Sequence, residues 1–90
     1  MLEKLNQNIV LEDITNDEYK TRDLGEASSF FAIGISLKRI ERINTICFFV
    51  FSELDKCKEL SIAYWSGHCL VDARSFNHAN AILKSRMFTS

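Results

Sequence analysis

The chain has 90 residues and a net charge of −1, with 11 Lys and Arg against 12 Asp and Glu. That allows one small domain and excludes both a strongly basic nucleic-acid coat and a strongly acidic mimic of nucleic acid. With 47% apolar residues it is not a mostly disordered chain, and its longest apolar run, Ile46-Cys47-Phe48-Phe49-Val50-Phe51, is too short to cross a bilayer.

Residues 1–16 mix Leu, Glu, Asn and Asp without a clean period and read as an N-terminal extension. No basic start followed by an apolar stretch and a small-residue cleavage site marks a secretory signal. Residues 17–90 read as a single α+β domain. Glu18–Thr21 reads as a short strand with Tyr19 and Thr21 on one face. Asp23-Leu24-Gly25-Glu26 has capping-box spacing, and Leu24, Ala27, Phe30 and Phe31 form the apolar stripe of a helix that Gly34 ends.

Residues 35–41 alternate as a half-exposed strand, and Arg42-Ile43-Asn44 reads as a turn. Residues 45–51 form a strand that is apolar on both faces, which suits a central position. Ile46, Phe48 and Val50 point one way, and Cys47, Phe49 and Phe51 the other. Ser52 reads as the cap of a second helix whose inner face carries Leu54, Cys57, Leu60, Ser61 and Tyr64, and Gly67 stops it. Residues 68–71 read as a further short strand. Asp72 or Ser75 then caps a last helix with Phe76, Ala79, Leu83 and Met87 in a stripe.

The expected order is a ferredoxin-like β-α-β-β-α-β series with an antiparallel sheet and an extra C-terminal helix. That helix is expected to cover the free sheet face, on the Phe49 and Phe51 side.

Several segments together form a recognisable series. They are Tyr19-Lys20-Thr21-Arg22-Asp23-Leu24, Cys47-Phe48-Phe49-Val50-Phe51, Tyr64-Trp65-Ser66-Gly67, Val71-Asp72-Ala73-Arg74 and Leu83-Lys84-Ser85-Arg86. The series resembles a family of small domains of unknown function found in bacteria, archaea and their phages. The likeness covers about residues 19–88 and carries over no activity. It implies a cytoplasmic accessory protein of a phage or mobile element.

Chemistry-bearing constellations are sparse. Cys47, Cys57 and Cys69 are odd in number and lack CxxC spacing, which points to buried thiols in a reducing compartment. His68 and Cys69 are neighbours on an expected strand and point to opposite faces, so a shared metal ion is not expected. Cys69 beside His68, or Cys57 near a helix start, are the candidate nucleophiles, yet both lie on core faces. No phosphate-binding glycine loop is present, and Asp23 and Asp72 read as helix caps. The expectation is a non-enzymatic chain with no cofactor and no metal.

Two binding readings remain. Trp65 lies off the inner stripe of its helix beside Tyr64, and Trp and Tyr are common interface anchors. The leading reading is therefore a binding or regulatory module acting through protein–protein contact, with a host factor as the partner the resemblance suggests. A homodimer through the two-sided central strand is a further possibility. The alternative is a small nucleic-acid-binding protein using a basic hairpin, Lys38, Arg39 and Arg42, with Lys84 and Arg86 near it. Phe49 and Phe51 would then stack on bases. The chain departs from the RNA-recognition motif, because the glycines and leading basic residue of its third-strand signature are missing.

Overall fold

A computed structural model describes residues 17–89, and the expected extension at 1–16 lies outside them. The elements are β1 (Glu18–Thr21), α1 (Leu24–Ile33), β2 (Leu37–Ile43), β3 (Ile46–Ser52), α2 (Leu54–Trp65) and α3 (Ala73–Thr89). The domain is α+β, with a three-stranded antiparallel sheet in the order β1-β3-β2. β3 is central, as its two apolar faces anticipate. β1 and β2 are both antiparallel to β3, so they run parallel to each other and α1 crosses between them.

Local chemistry sets most boundaries. Asp23 caps α1 by accepting from the Glu26 N–H at 2.7 Å. Gly34 closes the helix at φ 111°, a left-handed conformation in which a side chain would be strained. The β2–β3 hairpin is longer than expected and turns at Asn44 and Thr45, with Asn44 at φ 59°. Pairing runs to Ile43 opposite Ile46. A bulge at Lys38 breaks the register between Leu37 and Arg39.

Ser52 does not cap α2. It ends β3, and the cap position falls to Glu53 at φ 61°, whose side chain makes no capping bond. Asp17, at the start of β1, supplies the missing acceptor, with Oδ1 3.3 Å from the Leu54 N–H. Asp72 caps α3 as anticipated, with Oδ2 accepting from the Ser75 N–H at 2.9 Å.

Two expectations are corrected. The stretch 68–71 forms no strand, so the ferredoxin-like series lacks its fourth strand among the described residues. The chain there is held by the His68 N–H donating to Ala63 O at 2.8 Å, which wraps it around the end of α2 instead of extending it along β1. The last helix does reach the Phe49 and Phe51 side, as expected, but that side is not a free face of its own. Phe49 and Phe51 share one core with Ala27 and Phe30 of α1, Cys57 of α2 and Leu83 of α3, so all three helices contribute to the same side of the sheet. Phe30 stands edge-on to Phe51 at 5.4 Å.

The opposite face carries charge. Val50 lies between Lys20 of β1 and Arg39 of β2 in the register and is fully buried. Arg39 reaches across β3 to Glu18, with both terminal nitrogens 3.0 Å from its carboxylate oxygens. Lys20 crosses the other way to Glu41 at 3.0 Å. The long basic stems lie over the central strand while their heads stay in water.

Candidate interaction surface

The second half of α2 presents the aromatic pair. Helical spacing turns Cys57, Leu60, Ser61 and Tyr64 inward and leaves Ile62 and Trp65 outward. Trp65 is 63% exposed and Ile62 is 73% exposed. The Tyr64 and Trp65 rings meet edge to face, with centroids 5.0 Å apart and planes at 88°.

Behind this pair lies a buried polar cluster. Glu26 is only 2% exposed, yet forms no ion pair among the described residues. Its Oε2 accepts from the Trp65 indole N–H at 3.3 Å and from the Tyr19 hydroxyl at 3.1 Å. The Tyr19 hydroxyl is also 3.0 Å from Ser61 Oγ. Having one proton, it donates to the carboxylate and accepts from Ser61. Three elements, β1, α1 and α2, therefore meet around one carboxylate, and the most exposed side chain in the group is the indole.

The tyrosines are perturbed accordingly. Burial pushes the Tyr19 hydroxyl above its ordinary range, and the Glu26 charge adds to the shift while the Ser61 bond opposes it. Burial also raises Tyr64, helped by the neighbouring Asp23 carboxylate. Tyr64 packs so tightly on α1 that a Cβ on Gly25 would stand 2.2 Å from its hydroxyl oxygen. Gly25 is therefore the gap in α1 that receives Tyr64.

The residues of the nucleic-acid reading are not brought together. Lys38 and Arg39 both pair with Glu18, and Arg39 also contacts Glu41. The Glu18 carboxyl is held down to about 2 by its hydrogen bonds to Arg39 and Lys38. Arg42 lies on the other side of the sheet, donating to the Met87 carbonyl near the end of α3. A cation there suits the negative end of a helix. Phe49 and Phe51 have no exposed surface and offer no face to a base. Arg86, also named in that reading, stands over the Phe31 ring at 5.9 Å.

Of the candidate nucleophiles, Cys57 is fully buried, and burial pushes its thiol up to about 11. Cys69 is half-buried, and all three cysteines are free thiols. Among the described residues no three His, Cys, Asp or Glu side chains converge in a way that could hold a metal ion, and no helix is long and apolar enough to cross a membrane.

Sequence reasoning placed Trp65 and Tyr64 but passed over Glu26, Tyr19, Ser61 and Gly25. A signal for Glu26 was present: it precedes Phe30 by one helical turn and so lies on the inner stripe of α1. Its position three residues after Asp23 gave it a role as a cap, which hid the other one. Compared with protein-family models, with curated proteins and with solved structures, the chain matches none of them.

Proposed function

We propose that this chain is a small non-enzymatic binding or regulatory module that acts through protein–protein contact, with Trp65 as the anchor and Tyr64 beside it. One observation carries the reading: a tryptophan 63% exposed is nevertheless fixed by a hydrogen bond to a buried carboxylate. Ordering an interface side chain costs about 0.5–1.5 kcal/mol on binding, and an anchor already held avoids part of that cost. Tryptophan and tyrosine are also the residues whose burial contributes most at interfaces. Ile62 extends the surface by one turn of the same helix.

The scaffold in this reading is ferredoxin-like in its first five elements, with α3 in place of the fourth strand. The free thiols fit a reducing cytoplasm. The likeness to phage-associated domains makes a host factor the favoured partner.

The test is affinity capture from a bacterial lysate, divided into nuclease-treated and untreated halves, with wild-type protein and Trp65→Ala side by side. The expected result is a specific protein retained by the wild type in both halves and lost by the folded variant. Equal capture by the variant removes Trp65 from the interface. Material lost on nuclease treatment returns the basic hairpin to consideration.

A further inference from the structure

A cleft of about 360 Å³ opens between the first turns of α3, the end of α2 and the 67–71 stretch. Its walls include the Tyr64 ring, Val71 and Phe76, with Cys69 and the Asn77 amide also lining it. Ser29 of α1 lines the same space and is 2% exposed. Its hydroxyl has no hydrogen-bond partner among the described residues. The adjacent Ser28 makes the contrast, since its Oγ accepts from Asn80 Nδ2 at 3.1 Å. Buried hydroxyls are nearly always satisfied, and one left unpaired is costly, so Ser29 calls for a partner. The volume falls within the roughly 300–1,000 Å³ of small-molecule sites.

We propose that this cleft binds a small uncharged molecule with an apolar ring and one hydrogen-bonding head group, the head meeting Ser29. The ring would pack against Tyr64, Val71 and Phe76. None of the lining side chains carries a charge, so nothing there offsets the desolvation of an ionic ligand. This site adjoins the Trp65 surface, sharing Tyr64 with it, but the exposed indole does not line the cleft. It also gives the 68–71 stretch a role that a fourth strand would have precluded, since pairing along the sheet would carry Cys69 and Val71 away from α3.

Benzamide is a suitable probe, with toluene as the ring that lacks a head group. Backbone amide shifts of the whole chain are followed by NMR as each is added. The expected result is saturable movement at residues 29, 64, 69, 71 and 76 with benzamide. Ser29→Ala is expected to weaken benzamide about fivefold and leave toluene unchanged, as loss of one neutral hydrogen bond would. Ala73 is exposed at the cleft wall, so Ala73→Phe should fold normally and abolish binding of both probes. Trp65→Ala should bind benzamide as the wild type does. Absence of saturable shifts in the wild type overturns the proposal. So does undiminished benzamide affinity in Ser29→Ala, or undiminished binding in Ala73→Phe should Ser29→Ala fail to fold.

Discussion

The Trp65 indole N–H and the Glu26 carboxylate are 3.3 Å apart, which ties an exposed ring on α2 to the buried first turn of α1. Removing the acceptor tests what that tie contributes. In Glu26→Ala the Tyr19 hydroxyl loses one of its two partners in a part-buried setting, whereas the indole can turn to water. The Tyr19 hydroxyl can turn its proton to Ser61 Oγ, 3.0 Å away, so the expected loss in urea unfolding is that of one net hydrogen bond, about 0.5–1.5 kcal/mol. Glu26→Gln keeps an oxygen acceptor and should lose less. The chain has a single tryptophan, so its emission reports the tie directly. Glu26→Ala should shift emission to the red and lower its anisotropy. Wild-type emission in that variant would mean that the bond does not hold the ring.

Gly25→Ala separates helix propensity from packing. Alanine is favoured over glycine in a helix interior by about 1 kcal/mol, and by less in the first turn, where Gly25 lies. The new Cβ would sit 2.2 Å from the Tyr64 hydroxyl oxygen, so the ring must swing away. That movement breaks the edge contact with Trp65, and such pairs contribute about 0.5–1.5 kcal/mol. Packing therefore outweighs propensity, and the expected result is a small net destabilisation with a changed tryptophan signal. A variant more stable than the wild type with unaltered emission would show that Tyr64 relocates at no cost.

Alternation, glycine stops and capping residues made β1, α1, β3 and α3 legible, because each is set by local chemistry: Tyr19 and Thr21 on one face, Gly34 in left-handed geometry, Asp72 before a stripe. Misreadings arose where distant residues compete. Ser52 looks like a cap, but pairing with Glu18 keeps it in β3, and Asp17 takes over the capping bond to Leu54 from 37 residues away. Residues 68–71 have strand-like composition, yet they pair with no strand, and the His68 N–H closes the end of α2 by donating to Ala63 O. The candidate surface was half legible for the same reason. The exposure of Trp65 follows from helical period, whereas its attachment to Glu26 spans 39 residues and depends on how α1 meets α2.

Thiol reactivity should rank by depth. Cys47 and Cys57 are buried, and the Cys57 thiol is raised to about 11, so little thiolate exists at neutral pH. Cys69 is half-buried at the cleft wall. Iodoacetamide on the native protein at pH 8 should modify Cys69 alone, with the other two labelled only after denaturant is added. Mass spectrometry of the peptides decides the order. Prompt labelling of Cys57 would contradict its burial and reopen a nucleophilic role.

The ion pairs over β3 predict how stability responds to acid. Glu18 has a folded pKa of about 2 against an ordinary 4.5, with the Arg39 hydrogen bond the largest cause and Lys38 next. A carboxylate with a lowered folded pKa stabilises the fold above its unfolded value and loses that contribution as pH falls toward the folded one. Glu18 therefore contributes fully above about 4.5 and progressively less between 4.5 and 2. Glu41 is also lowered, first by Lys20 and then by Arg39. Arg39→Gln removes a cation from both carboxylates while leaving Lys20 and Lys38 in place. Its unfolding midpoint in urea should lie below that of the wild type at pH 7, and the two should converge as pH approaches 2. Because these groups face water, added salt should narrow the pH 7 gap. A gap that persists unchanged at pH 2 would mean that Arg39 acts through the packing of its stem over Val50 rather than through its charge.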